Sequence, residues 1–227
     1  MDRVNWKLMS LEEKQAFYAK ISMELSDHKR QLFDRKIQHR TRRFSLALED
    51  MMKTQNASAL MRTADAFGVQ RVDIYDKNER FNLSSGISKG VEKWLDTSFF
   101  NTYNEGGVAE WAELLKSSGR KLYVTALNTS AKPLHDIDPT ITATICFGNE
   151  QEGASEELLK HADEVIYIPM KGFVESFNVS VSCGIVLHHL THKMEEAGIA
   201  RGLSQEDEIT TKIDWALRTI PNPQRFL

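Results

Sequence analysis

Asn56 and Arg62 stand six residues apart in KTQNASALMRTADAFGVQ, and their types could act on a substrate. Asparagine is a preferred helix N-cap, so Asn56 is expected to open a helix over 57–67, with Arg62 a turn and a half inside it. Arg62 lies among Ala59, Leu60, Met61 and Ala64, a small-residue setting in which a guanidinium needs an anion. That anion is either a substrate phosphate, gripped by a planar fork of donors, or a carboxylate of the protein itself, with Asp65 and Glu49 as candidates. A second stretch, ICFGNEQEGASEELL, runs from an apolar strand through a glycine-containing turn into a helix. Gly148 and Gly153 have the spacing of a triphosphate loop, but Ala154 stands where its lysine belongs, and Glu150 and Glu152 would repel phosphates. No G-x-G-x-x-G occurs either, which disfavours a dinucleotide held in the usual way. What remains is a turn whose backbone groups are open to a ligand, with Glu150 directed inward or capping the helix.

The third stretch is VESFNVSVSCGIVLHHL, residues 174–190, an apolar run interrupted by Ser176, Asn178, Ser180 and Ser182. Its first half alternates as a strand does, and its second half has helical spacing. A helix starting near Asn178 and running to about Ala197 reconciles the two, with Ser180 and Gly184 one turn apart as a small-residue face that admits another element. His188 and His192 share a face of that helix, but His189 stands where a metalloprotease helix carries glutamate and no third ligand is evident, so no metal is expected.

The elements that must position these residues alternate. Residues 10–43 open with SLEE and contain neither Pro nor Gly, which predicts one long helix or two consecutive ones. Strand-like runs FSLALED, RVDIYD, WLDTSFF, KLYVTAL, ITATICFG and EVIYIPM follow, separated by the helical runs ASALMRTADAF, GVAEWAELLKSSG and SEELLKHA, with a loop through FNLSSGISKG. SQEDEITTKIDWALRTI reads as a last amphipathic helix, ended by PNP. Strands alternating with helices predict an α/β fold with a mainly parallel sheet, and in such sheets ligands gather at the carboxyl ends of the strands.

Composition narrows the partners. The 227 residues suffice to bury a core without disulfides, and Cys146 and Cys183 both lie in apolar runs as small buried hydrophobes. No window approaches the roughly 18 apolar residues of a membrane span, and MDRVNWKLMSLEEK lacks the core of a signal peptide, so a cytoplasmic protein without a membrane partner is expected. The net charge of -3 is uneven: residues 28–43 carry seven Lys/Arg against one Asp, a segment of +6 beside a remainder of -9. Such a block is either a polyanion-binding arm or a solvated helix face.

Taken together, NASALMRTADAFGV, FGNEQEGASEELLKHADEVIYIPM and ESFNVSVSCGI resemble, in order and spacing, the three motifs of the SpoU/TrmH branch of the SPOUT RNA 2'-O-ribose methyltransferases. The resemblance covers about residues 44–197. It implies a SPOUT-type α/β domain over 44–197 with a C-terminal deep trefoil knot, a helical basic extension over 1–43 and a helical extension over 198–227. It further implies a homodimer and S-adenosyl-L-methionine bound in the knot loops. The basic arm, the loop SSGISKGVEKWLD and the last helix are similar to those of the tRNA members that methylate guanosine 18.

Carried over residue by residue, the resemblance places catalytic roles on Asn56, Arg62, Glu150, Ser176 and Asn178. It places cofactor contacts on Thr125, Ala126 and Leu127, on Phe147, Gly148, Asn149 and Glu150, on Ile168, Pro169 and Met170, and on Phe177, where leucine is usual. RNA contacts are expected from Lys29, Arg30, Arg35, Lys36, Arg40, Arg42 and Arg43. The acidic stretches EEAG and QEDE depart from what an RNA-facing helix should carry. Methyl transfer from a sulfonium to a ribose 2'-hydroxyl needs no metal, and a guanidinium stays protonated, so Arg62 is expected to grip phosphate rather than act as a base. A ribosomal RNA target is one alternative. A catalytically silent RNA-binding or assembly protein is another, against which the joint presence of Asn56, Arg62, Glu150 and Asn178 argues.

Overall fold

The computed structural model of the protein describes residues 5–77, 90–101, 106–117, 119–128 and 130–227. Most of the loop expected through FNLSSGISKG lies outside them. Along the chain come α1 (Leu11–Ser22), α2 (Asp27–Ile37), β1 (Phe44–Glu49), α3 (Thr54–Ala66), β2 (Arg71–Tyr75), β3 (Asp96–Phe100) and α4 (Val108–Lys116). There follow β4 (Lys121–Thr125), β5 (Lys132–Pro133), β6 (Ala143–Phe147), α5 (Glu156–His161), β7 (Glu164–Tyr167), α6 (Val179–Glu196) and α7 (Gln205–Leu217). They form two compact units, one of residues 1–41 with 201–227 and one of residues 42–200.

The second unit holds a seven-stranded sheet in the order β3-β2-β1-β6-β4-β7-β5, every pairing parallel. This is the α/β architecture the alternation predicts. β1 is central and buried along its length: Phe44, Leu46 and Leu48 join the core with α3 and α6, while Ala47 joins the other with α4 and Leu158 of α5. Phe44, Leu46 and Leu48 each contribute about 1.5–3 kcal/mol by leaving water. The polar Ser45 is tolerated there because its hydroxyl meets that of Thr144 on β6 at 2.9 Å. The two-residue β5 was not predictable from hydrophobic periodicity, since a strand so short has no period. Cys146 and Cys183 are both free and buried.

The first unit is helical. The uninterrupted 10–43 segment is two helices, and SLEE is a capping box: Ser10 accepts from the Glu13 backbone while Glu13 accepts from that of Ser10. Its core is built on α7, where Trp215 meets Phe33 edge-on at 5.4 Å. The acidity of QEDE has a local cause. Glu206, Asp207 and Glu208 fill the first turn of α7, where carboxylates complement the helix dipole, and Glu206 pairs with the nearly buried Lys14 at 2.5 Å.

Candidate active site

Strand order reverses between β1 and β6: β1 leads outward to β2, β6 outward to β7. At such a switch point the loops beyond the carboxyl ends diverge and leave a crevice. The loops after β1 and β6 meet there. The backbone N–H groups opening α3 have no cap of their own, for Lys53 occupies the N-cap position and makes no side-chain cap bond. Glu150, arriving from the loop after β6, supplies it. Its carboxylate accepts the Met52 N–H at 2.8 Å, the Lys53 N–H at 3.2 Å and the Asn56 side-chain amide at 2.8 Å. Glu150 therefore caps a helix, but α3 rather than the one after it. Asn56 is correspondingly not the N-cap: α3 begins at Thr54, and Asn56 is its third residue.

The network continues into the third motif. Asn178 caps α6 as expected, its Oδ1 accepting from Ser180 N–H at 2.9 Å and Ser180 O–H at 2.6 Å. Its amide then donates to Asn56 Oδ1 at 3.4 Å. Donors thus run one way, from Ser180 through Asn178 and Asn56 to the Glu150 carboxylate, an arrangement in which each bond polarises the next. Partial burial pushes the Glu150 pKa up, but the bonds from Asn56, Met52 and Lys53 outweigh it and hold it below the usual range. At neutral pH Glu150 is an ionised acceptor. Ser180 is a working member of the cap as well as part of the small-residue face, donating both its N–H and its O–H to Asn178.

Arg62 lies on α3 with an exposed side chain, and among the described residues it makes no ion pair. The Glu49 alternative fails because that carboxylate is turned to Ser155. Ser176 is exposed and not bonded to any described residue, so it stands apart from the Asn56–Glu150–Asn178 chain.

The three expected cofactor loops leave one edge side by side, because β6, β4 and β7 are neighbours. Thr125 pairs in register with both Phe147 and Ile166, its hydroxyl donates to the Cys146 carbonyl at 3.0 Å, and Ala126 N–H donates to Ile166 O at 3.1 Å. Leu127 and Phe177 are 60% and 41% exposed apolar side chains at these loops, while Ile168, Pro169 and Met170 are half-buried. The Phe147 side chain is sealed in the core, which leaves its backbone as the part that can face a ligand. Gly148 is where the turn is tightest, since a Cβ there would lie 2.2 Å from Ala154 N. Asn149 closes the turn by exchanging two backbone bonds of 2.9 Å with Gly153 and donates its side-chain amide to Asp50 O at 3.1 Å. A cleft of about 360 Å³ on the turn carrying Asn149 and Gly153 includes Glu49, Asp50, Glu152 and Glu157 in its wall, a charge unsuited to phosphate.

The expected RNA contacts divide. Arg30, Arg40, Arg42 and Arg43 are engaged within the protein. Arg30 binds the Ser22 and Leu25 carbonyls at 3.0 and 2.9 Å and pairs with Asp27. Arg40 is only 6% exposed, with its guanidinium over the Trp215 ring. Arg42 pairs with Asp96, and Arg43 binds the Ala200 and Thr140 carbonyls, each at 3.2 Å. Arg35 and Lys36 are exposed, and Lys29 is half-buried. Charge counting could not make this division, because it treats a cation stacked on tryptophan and one in solvent alike. His188 and His192 stack at 5.9 Å, and among the described residues no three His, Cys, Asp or Glu are grouped to hold a metal. No described helix is long and apolar enough to cross a membrane.

Residues 43–188 match the SpoU rRNA Methylase family. The chain is similar to the tRNA (guanosine(18)-2'-O)-methyltransferase of Thermus thermophilus, 31% identical over 194 residues that make up 85% of this chain and 97% of that protein. Its fold is similar to that of the TrmH/SpoU tRNA modifying enzyme of A. aeolicus, with a TM-score of 0.75 and 27% identity, covering 86% of this chain and 98% of that one. An AdoMet-bound rRNA methyltransferase from Sinorhizobium meliloti shares the fold at a TM-score of 0.59 and 23% identity, over 70% of this chain and 60% of that one.

Proposed function

The chain belongs to the SpoU rRNA Methylase family, and from that premise we propose that it transfers a methyl group from S-adenosyl-L-methionine to the ribose 2'-hydroxyl of guanosine 18 in tRNA. One observation carries the reading: residues from all three motifs, Asn56, Glu150 and Asn178, join in one hydrogen-bond chain beside a helix whose Arg62 is left open to solvent. A silent scaffold has no need of an exposed guanidinium beside a side-chain relay that links all three motifs. The near end-to-end match to a tRNA enzyme favours tRNA over ribosomal RNA.

In this reading Arg62 holds a phosphate next to the target ribose by its fork of donors, and that phosphate can take the 2'-hydroxyl proton. The Glu150–Asn56–Asn178 chain fixes the start of α3, hence the direction of Arg62, and in-line placement supplies much of the rate. The cofactor supplies the electrophilic methyl. Backbone groups of 125–127, 147–150 and 168–170 would hold it, with Leu127 and Phe177 giving apolar walls. The C-terminal part of the domain would be threaded as a trefoil knot, a reading that the placement of β6 between β1 and β4 supports. Co-crystallisation with S-adenosylhomocysteine tests both the threading and the loops. Incubating purified protein with unmodified tRNA and mapping 2'-O-methyl groups by primer extension tests the function. A stop at position 18 is the expected result, and methyl groups appearing only in ribosomal RNA would move the target to the alternative.

Arg35 and Lys36 are the reading's contacts to tRNA phosphates. Arg35→Gln with Lys36→Gln should flatten the slope of log affinity against log salt by about 1.4–1.8, and leave cofactor affinity unchanged, as filter binding across a salt series will read. An identical slope would leave this segment a solvated face.

The active form would be a homodimer joined along α6. Phe177 and Val181, 41% and 48% exposed, share a stripe with Gly184, where an added Cβ meets nothing within 4 Å. The Cβ of Gly184→Leu therefore has room within one chain, while the variant should push apart two helices packed there, an overpacking that costs about 1–3 kcal/mol. Sedimentation should show the variant shifted toward monomer at concentrations where the parent is dimeric. A dimer of unchanged affinity would place this helix elsewhere.

A further inference from the structure

We infer that Glu49 is a positioning residue of the methyl-transfer site, acting through Ser155 on the turn that carries Glu150; the inference rests on the function proposed above. Glu49 ends β1 and is only 4% exposed. A carboxylate is costly to bury, and one that remains must be tied to donors. Its two oxygens take the Ser155 backbone N–H, at 2.9 Å, and the Ser155 hydroxyl. Burial pushes its pKa up, the two bonds from Ser155 oppose that, and Asp50 and Glu157 reinforce it.

What Glu49 fixes is the far end of one turn. Gly148 begins that turn with no room for a side chain, and Ser155 ends it as the N-cap of α5, accepting from Leu158 N–H at 3.1 Å. Between them Asn149 ties the turn to Asp50 O, and Glu150 reaches out to Met52, Lys53 and Asn56. The segments 49–56 and 148–155 are thus clamped to each other at three successive points, and only the last, Glu150, enters the Asn56–Asn178 chain. Freeing the Glu49 clamp lets the turn rotate about the other two. Glu150 then moves, the start of α3 loses its cap, and Arg62 loses its direction. Glu49 touches neither substrate nor cofactor in this scheme.

Glu49→Met keeps the length and burial and removes the acceptors; Glu49→Gln keeps an acceptor for the Ser155 N–H and a donor for its hydroxyl. Glu49→Met is expected to lower kcat by about 10–100-fold, as small misplacements of a reacting pair do, with KM for tRNA within about twofold. Glu49→Gln should recover most of the loss. Amide hydrogen exchange should run about tenfold faster in peptides covering 49–56 and 148–155, and unchanged in those covering α7. Unchanged exchange and unchanged kcat in Glu49→Met would overturn the inference, as would a Glu49→Gln enzyme as slow as Glu49→Met. If Glu49→Met does not fold, Ser155→Ala and Ser155→Thr carry the same test: the first lowers kcat and loosens both peptides, the second restores both, and two variants identical to the parent overturn it. The exchange arm does not depend on activity. A parent that methylates no tRNA while Glu49→Met loosens both peptides would therefore defeat the functional reading alone.

Discussion

Arg62→Ala is expected to lower methyl transfer to tRNA by at least about 10²–10³-fold while leaving S-adenosyl-L-methionine binding within about twofold. That is the size of loss that follows removal of one pre-aimed donor from a reacting centre. The structure separates the two readouts. Arg62 is on α3, whereas the backbone groups proposed for the cofactor leave the ends of β4, β6 and β7. Nothing among the described residues leans on Arg62 for an ion pair, and the neighbouring Ala59 and Ala66 do not cover it, so its removal should leave the fold undisturbed. Arg62→Lys should recover only part of the activity, since an ammonium supplies the charge without the planar fork. Transfer of tritiated methyl to tRNA and calorimetry of cofactor binding check the pair. Full activity in the alanine variant would remove Arg62 from the mechanism.

Gly148→Ala should be nearly as damaging, but by the opposite route, through the cofactor. The added Cβ would stand 2.2 Å from Ala154 N, 2.3 Å from Gly153 C and 2.4 Å from Ala154 Cα, all backbone atoms that cannot swing aside. The turn must open, and with it the Asn149–Gly153 bridge and the reach of Glu150 to α3. Cofactor affinity is expected to fall by at least about tenfold and activity by about 10²-fold, in line with the cost of forcing extra volume into a packed site. Gly153→Ala is the control. Gly153 has φ 75° with open space around it, so alanine there meets only the backbone strain of a left-handed residue, about 1–2 kcal/mol. Calorimetry should find it binding cofactor almost as the parent does, and equal losses in the two variants would show that space at Gly148 is not what matters.

Much of this was legible in the chain. The alternation of short apolar runs with helical ones gave the parallel α/β sheet, and Asn178 as the cap of α6 followed from a strand-like half meeting a helix-like half. The roles that were missed involve partners distant in sequence. Asn56 has the type of an N-cap, yet α3 starts before it because Glu150, some ninety residues on, does the capping. Local propensity cannot weigh a donor or acceptor that only the strand order brings near. Glu49 had a usable signal, a carboxylate ending the buried run FSLALE, but its partner Ser155 stood only as the first residue of the helical run SEELLKHA. For the same reason the basic block looked uniform, although Trp215, Asp27, Asp96 and two pairs of backbone carbonyls had already divided it.

The helical unit is assembled from two ends of the chain, and that fixes an order of events during synthesis. Both α1 and α2 depend on α7, whose Trp215 lies against Phe33 and carries the Arg40 guanidinium, and whose Lys212 and Glu206 bind Asp34 and Lys14. All of residues 42–200 must be translated before α7 exists, which at about 5–20 residues per second is on the order of ten seconds. Through that interval Phe33 lacks the Trp215 ring it packs against, and Arg40 lacks the same ring. The helical unit can close only after α7 has left the ribosome, so a nascent chain completes its parallel sheet before its helical unit.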